Sequence, residues 1–182
     1  CAGVIYYPGP FETGLEVLYH FASIHYPIVV LDKIIDLVPV TYVVSDNTGG
    51  SYQLVKRLIE KGHRRFAFIA MDNVLIQTTR ERYLGCCKAI SEAGLTPDNL
   101  LLRSPYSGRE DMKNEWHDYN NVTIRRLVPI VKELHGLGVT AVCTLNDSTA
   151  VLFSQAVKEL HLRIPEDIAV AGFDDLAYAQ YM

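Results

Sequence analysis

Polar side chains stand at the ends of several apolar, β-rich segments of this 182-residue chain. Carboxylate and amide oxygens accept hydrogen bonds from hydroxyl groups, a guanidinium donates to them, and an aromatic face packs against C–H groups. A sugar presents all of these features, and a site built for hydroxyls rejects analogues that lack them. We therefore expect the residues at these ends to bind a sugar or a related polyhydroxyl compound: Tyr6, Asp32, Arg82, Asn146 and Asp174.

Several polar residues near these ends also have a purely structural interpretation. An aspartate between a strand and a helix is often an N-cap, and this is what we expect of Asp46 and Asp147. Arg82 is expected to point inward from its helix. Asp174 follows a buried strand and therefore needs a ligand or a basic neighbour, whereas Asp175 is expected to cap the next turn.

Aromatic residues leave two alternatives open. Tyr6 and Tyr7 are adjacent on one predicted strand, so only one of them can face a shared crevice. Trp116 lies in a polar, aperiodic segment and is either a lid over the ligand or a packing anchor.

The elements that must position these residues alternate along the chain. Most predicted strands are continuously apolar, which is typical of strands covered on both faces in a parallel sheet. Asp46 to Gly62, Thr79 to Ala93 and a segment starting at Asp147 have helical spacing. Residues 123–135 are also helical in pattern, but Pro129 predicts a kink or a late start. The predicted strands are Gly3–Tyr7, Ile28–Asp32, Thr41–Ser45, Phe66–Ala70, Asn99–Arg103, Thr140–Leu145 and Ile168–Phe173.

This order predicts an α/β fold with doubly wound parallel sheets and right-handed crossovers. Ligands of such sheets bind outside the carboxyl ends of the strands, where the polar residues lie. Residues 1–44 give too few strands to close a sheet alone. We therefore predict a partial N-terminal lobe over 1–44 and a C-terminal lobe over 45–182.

Composition and charge exclude several classes of protein. The chain has 49% hydrophobic and 21% charged residues, which indicates a globular protein and excludes disorder, collagen and coiled coil. Its net charge is −4, so this stretch is a poor candidate for binding nucleic acid itself. Its apolar runs are shorter than the roughly 20 residues of a membrane helix, and we expect neither a membrane contact nor a signal peptide.

Common metal, nucleotide and nucleophile motifs are missing from the sequence. The six histidines have no H-x-x-x-H or H-E-x-x-H spacing, so no metal site is expected. The glycine-rich nucleotide motifs and G-x-S-x-G are missing too, so no cofactor is expected. No C-x-x-C occurs, and we expect buried thiols in a reducing cytosol: Cys1, Cys86, Cys87 and Cys143.

An ordered set of motifs runs through nearly the whole chain. Each is weak by itself, but together and in order they resemble the effector-binding core of the lac-repressor-type (LacI/GalR) transcriptional regulators. They are Gly3–Pro8, Pro27–Asp32, Asp46-Asn47-x-x-Gly50, Leu58–Ile69 with Gly62-His63-Arg64-Arg65, Arg80-x-Arg82-x-x-Gly85, Glu92–Leu95, Asn146-Asp147 and Ile164–Asp175.

The resemblance implies two α/β lobes of the periplasmic-binding-protein-like type I, with a sugar or nucleobase-like metabolite between them. It also implies a homodimer whose lobes shift when effector binds. The same sensor occurs behind a winged-helix domain in arabinose repressors, so the type of DNA-binding domain stays open. By their positions in the motifs, the residues implied to contact the ligand are Asp32, Arg82, Asn146, Phe173 and Asp174.

The chain departs from the family pattern by what it lacks. It has no helix-turn-helix or hinge helix, the first lobe is incomplete, and the last crossover of the second lobe has no counterpart. We expect it to be a piece of a protein of roughly 300 or more residues, the usual size of two such domains with a DNA reader.

The sequence is compatible with three functions. The leading one is the effector-sensing domain of a bacterial, cytoplasmic transcriptional regulator, which binds DNA only through a domain outside this chain. The alternative is a periplasmic sugar-binding protein of a transport system. An enzyme such as a glycosidase would need Asp32 and Asp174 at a suitable separation, and no nucleophile–base pair is evident, so we expect no catalysis.

Overall fold

The structure is a computed structural model that describes residues 2–8, 15–71, 76–114, 118–177 and 179. It divides into two compact units, Cys1–Asp46 and Asn47–Met182. This division falls beside the predicted boundary, and the assignment of 1–44 and 45–182 to two lobes stays a prediction.

In its described part, the first unit contains a parallel sheet of three short strands in the order β1-β2-β3. Leu18 of the helix packs on Ile28 and Val30, and all three side chains are buried. The other face carries Ile5 and Val43, which are exposed. The elements are β1 (Val4–Tyr6), α1 (Leu15–Ser23), β2 (Ile28–Leu31) and β3 (Thr41–Val43).

In its described part, the second unit contains a parallel sheet of four strands in the order β5-β4-β6-β7. The register is continuous, with Phe66 opposite Leu100 on one side and Ala141 on the other. The elements are α2 (Asn47–Glu60), β4 (Phe66–Ile69), α3 (Gln77–Glu92), a 3₁₀ turn (Pro97–Asn99), β5 (Leu100–Arg103), α4 (Arg109–Asn114), α5 (Tyr119–Gly136), β6 (Ala141–Thr144), α6 (Asp147–Glu159) and β7 (Ala169–Ala171).

Helices cover both faces of this second sheet. Every residue of β4 and β6 is buried, because successive side chains point into two different cores. One core lies under α2 and α3, where Val55 and Ile90 pack on Phe66 and Phe68. The other lies under α5 and α6 and includes Leu127, Leu134, Val142 and Phe153. The prediction of doubly wound parallel α/β structure from continuously apolar segments is confirmed.

The segment between β5 and β6 differs from its prediction. Helix α4 lies where the sequence gives only an aperiodic loop, and α5 begins at Tyr119, before residue 123. The late start predicted from Pro129 is therefore wrong. The helix continues through this exposed proline because a buried stripe on its opposite side holds it to the sheet: Thr123, Leu127, Val131 and Leu134.

The cysteines in the described part of the chain are free thiols. Cys86 and Cys143 are buried in the core under α2 and α3, and Cys87 is partly buried. A hydrogen bond between the two buried thiols, together with burial, raises the pKa of Cys86 well above its usual value. Cys1 and Trp116 lie outside the described residues.

Candidate ligand-binding site

Arg82 is the centre of the candidate site. It lies in the second turn of α3, and only 7% of its surface is exposed. Its Nε–H donates to Oδ1 of Asn47 at 2.9 Å, and one terminal nitrogen donates to the main-chain carbonyl of Leu145. The other terminal nitrogen is paired with Oδ1 of Asp174 at 3.1 Å. A buried guanidinium needs such partners, and here they come from α2, the end of β6 and the turn after β7.

The ring of Phe173 supports this arginine from one side. The guanidinium carbon lies 3.9 Å from the ring centroid, within the range of a cation–π contact. One ring face is therefore occupied by the arginine. Phe173 thus holds Arg82 in place, a role that does not follow from its position in the motif.

Asp174 lies in an unusual turn directly after β7. Its φ is +102° and that of Asp175 is +52°, a region that few residues other than glycine adopt. Its side chain is 34% exposed, so the carboxylate is paired with Arg82 and also accessible. This residue has the basic neighbour that the sequence led us to expect.

Asp147 holds the turn that carries Phe173 and Asp174. Its N–H donates to the carbonyl of Phe173 at 2.9 Å, and its Oδ2 accepts from the N–H of Leu176 at 2.7 Å. A Cβ at position 172 would lie 2.1 Å from Oδ1 of Asp147, so Gly172 is needed for this close approach. The prediction that Asp147 is an N-cap is wrong.

The cap of α6 is Asn146. Its Oδ1 accepts from both the N–H and the Oγ1 of Thr149, each at 2.9 Å. Its Nδ2 makes no hydrogen bond to the residues that the structure describes and is the part of this amide left to donate to a ligand. Asn146 remains a predicted ligand residue with one of its two polar atoms already used.

The remaining predicted residues lie in the first unit. Tyr6 and Asp32 are at or just past the carboxyl ends of the neighbouring strands β1 and β2. Tyr6 packs against the core of that unit, whereas Tyr7 is 62% exposed. Asp32 has a φ of +74°, and its N–H donates to the carbonyl of Val43 at 2.9 Å.

Two partners of Arg82 are not among the predicted site residues. Asn47 belongs to the Asp46-Asn47-x-x-Gly50 motif, so the sequence does mark this residue. Its place at the start of a predicted helix gives no reason to expect a contact with Arg82 on α3. The carbonyl of Leu145 belongs to the main chain, and the apolar side chain at this position gives no indication of such an acceptor. No three His, Cys, Asp or Glu side chains in the described part of the chain are grouped to hold a metal ion.

The described helices include none of the length and apolar character required to cross a membrane.

A family model for periplasmic binding protein-like domains matches residues 55–182 of this chain. This is the second unit from the middle of α2 onward, and it includes Arg82 and Asp174.

Among curated proteins, the chain is similar to bacterial helix-turn-helix regulators. It is 29% identical over 169 residues to the probable transcriptional repressor ExuR of Bacillus subtilis, covering 91% of this chain and 45% of that protein. It is 31% identical to the repressor PurR of Pasteurella multocida, covering 93% of this chain and 46% of that protein. The chain therefore spans less than half the length of these relatives.

Solved structures of LacI-family regulators share the fold. A regulator from Enterococcus faecium with bound ribose has a TM-score of 0.77 at 21% identity, over 100% of this chain and 61% of its own. A sugar-binding LacI-family regulator from Escherichia coli complexed with phosphate has a TM-score of 0.65 at 25% identity, over 100% of this chain and 60% of its own. The resemblance drawn from the motifs is confirmed.

Proposed function

The chain belongs to the periplasmic binding protein-like domain family and matches the effector-binding region of LacI-type regulators, and from this we propose that it is the ligand-sensing part of a bacterial transcriptional repressor. Its partner is a small-molecule effector. The proposal assigns contact with DNA to a different part of the whole protein, because this stretch has a net charge of −4.

The observation that carries this proposal is the pair formed by Arg82 and Asp174. The arginine is nearly buried and held from several sides, whereas the carboxylate is one-third exposed at the carboxyl edge of a parallel sheet. Such an edge is where ligands of doubly wound sheets bind. The pair offers a donor and an acceptor side by side, which is the arrangement that adjacent hydroxyl groups require.

We propose a sugar or a related polyhydroxyl compound as the effector. Asn146, with its remaining amide donor, would add a contact, and Tyr6 and Asp32 stay ligand residues predicted from the sequence. Phe173 would act through Arg82, whose guanidinium covers its ring. The ribose in the Enterococcus faecium regulator, a protein of the same fold, is consistent with this ligand class.

Binding would act by differential affinity. A ligand that binds one arrangement of the two lobes more tightly shifts the population toward it, and the DNA-binding part then responds. In this proposal the whole protein is a cytoplasmic homodimer, and its sensing unit binds the effector without transforming it.

Calorimetry on the full-length protein with a panel of monosaccharides and polyols tests the ligand class. Arg82→Ala is expected to weaken binding by about 2 kcal/mol or more, because a charge-assisted donor is lost. Arg57→Ala is the matched control, since Arg57 lies exposed on α2 and pairs with the exposed Glu60. No binding across the panel would count against a sugar effector, and unchanged affinity in Arg82→Ala would remove Arg82 from the site.

Operator binding separates the regulator from a periplasmic sugar-binding protein. A regulator is expected to bind a promoter fragment of its own operon and to change its affinity for that DNA when effector is added. A full-length protein with a secretory leader and no affinity for DNA would instead indicate the transport role.

A further inference from the structure

Asn47 is a buried amide that links two charged residues of a neighbouring helix. It is the first residue of α2, and 2% of its surface is exposed. Its Oδ1 accepts from Nε of Arg82 and its Nδ2 donates to Oε2 of Glu81, both at 2.9 Å. The second carboxylate oxygen of Glu81 accepts from Nε2 of Gln77, also at 2.9 Å.

The chemistry of its two partners fixes the orientation of this amide. A guanidinium can only donate and an ionised carboxylate can only accept. If the amide were rotated by 180°, an N–H would face Arg82 and an oxygen would face Glu81, and both contacts would be lost. Glu81 therefore determines that the oxygen of Asn47 is directed at Arg82.

The close packing of α2 on α3 brings Asn47 within reach. A Cβ at position 85 would lie 2.3 Å from the carbonyl oxygen of Thr48, so the two helices approach this closely only because residue 85 is glycine. The hydroxyl of Thr48 also donates to the carbonyl of Glu81 at 3.3 Å. Gly85 and Thr48 thus fix the distance between the start of α2 and the turn that carries Arg82.

We propose that Asn47 is a positioning residue for Arg82 and that Glu81 orients it. Rotation of the arginine about its last side-chain bonds is restrained by the Nε–H contact, because this contact fixes the plane of the guanidinium. The effector would then meet an arginine whose guanidinium plane is already fixed by contacts within the unit. This inference rests on the proposed function for its consequence in ligand binding, but the contact itself is testable without any ligand.

The test exchanges the donor and the acceptor between positions 47 and 81. As a reference, Asn47→Leu removes the acceptor of the Arg82 Nε–H with a side chain of similar size and should abolish the contact. Glu81→Gln leaves one oxygen for two donors, Asn47 and Gln77, and should weaken it. In the double variant Asn47→Asp/Glu81→Gln, the new amide at position 81 can accept from Gln77 and donate to the new carboxylate at position 47. That carboxylate still accepts from Arg82, so the link is restored. Asn120→Asp with Glu60→Gln, on the exposed surface of α5 and α2, has the same change in charge and is the control.

The measurement is the solvent exchange rate of the Arg82 Nε–H, observed by ¹⁵N NMR and assigned by its loss in Arg82→Lys. We expect at least about tenfold faster exchange in Asn47→Leu, a smaller increase in Glu81→Gln, and recovery to within about twofold of wild type in the double variant. The control pair should leave the rate unchanged. Equal rates in wild type and Asn47→Leu, or a double variant no better than Glu81→Gln alone, would overturn the proposal.

Unfolding free energies and a titration with D-ribose complete the experiment. A merely structural role of Asn47 would change the free energy of unfolding and leave the Nε–H rate as it is, which would also overturn the proposal. If the wild type does not bind D-ribose while the exchange rates follow the expected order, the positioning role stands and only the sugar chosen for the proposed function fails.

Discussion

The two sheets of this chain differ in how they are covered. In the second unit, helices lie on both faces, and β4 and β6 are entirely buried. In the first unit, α1 covers one face, and the other exposes 75% of Ile5 and 57% of Val43. The fixed arginine of the candidate site is built on the fully covered sheet, whose central strands β4 and β6 contribute side chains to both cores.

The difference is also one of stability. Apolar burial contributes about 25 cal/mol per Å², and a sheet with one open face forgoes much of that contribution. We infer that the second unit supplies most of the free energy of folding and a rigid frame for Arg82. Four experiments follow, in order of decreasing expected effect.

Truncation of a core leucine should cost more in the second unit than in the first. Leu127→Ala in α5 is expected to lower the free energy of unfolding by about 2–5 kcal/mol, because the cavity lies between a helix and a fully covered sheet. Leu18→Ala in α1 is expected to cost less, because its smaller core can collapse. Hydrogen exchange resolved by segment measures both, and equal costs would contradict the inference.

Adding one methyl group between α2 and α3 should cause the next largest loss in the free energy of unfolding. Gly85→Ala is expected to cost about 1–3 kcal/mol or more, since the new Cβ would lie 2.3 Å from the Thr48 carbonyl. Gly136→Ala in α5 is the control, because no atom lies within 4 Å of its Cβ position. Urea denaturation should find that control neutral or more stable than wild type, and a destabilised control would undermine the steric explanation.

A hydroxyl group introduced by substitution should destabilise the covered sheet of the second unit more than the open face of the sheet in the first unit. Val142→Thr in β6 is expected to cost about 1–3 kcal/mol, because the site is fully buried and the hydroxyl has to find a partner there. Val43→Thr in β3 is expected to stay within about 0.5 kcal/mol of wild type. Thermal unfolding of the two variants measures the difference, and a large cost at position 43 would mean that its face is covered.

The smallest effect concerns the loop before β7. The side chain and N–H of Arg163 lower the pKa of Asp167 to about 2. Because the pKa is lowered on folding, the ionised carboxylate stabilises the folded state at pH values above its ordinary pKa of 3.8. This stabilisation is lost as the pH falls through the folded-state pKa of about 2. Asp167→Asn should therefore be slightly less stable at pH 7, and the difference should shrink between about pH 4 and pH 2. A difference independent of pH would exclude the ion pair as its cause.

The architecture could be predicted because its signals are local. Phe66–Ile69 and Ala141–Thr144 are continuously apolar or nearly so, and only a strand between two helix layers buries every side chain of such a run. Helix α4 could not be predicted in the same way, because its short, mostly polar sequence has no apolar period and depends on contacts such as the Arg126–Asp111 ion pair at 2.9 Å.

The candidate site was partly predictable for a different reason. Arg82 and Asp174 could be predicted as site residues because ligands of doubly wound sheets bind beyond the carboxyl ends of the strands. The structure pairs these two side chains. Asn146 takes the capping role expected of Asp147, because either of two adjacent polar residues can cap a helix and the choice depends on Gly172 in another segment. Packing between segments that are distant in the sequence determines which residue is the cap, and a local sequence pattern holds no information on such packing.

One partner of Arg82 has a consequence for the divergence of related sequences. The carbonyl oxygen of Leu145 belongs to the main chain, so replacing this leucine by another residue leaves the acceptor in place. Position 145 can therefore change among apolar residues that still pack on the core under α2 and α3 while the arginine keeps its anchor, whereas at positions 47 and 174 the contact depends on the side chain. Regulators that recognise different effectors could thus vary around this point while retaining the same arginine.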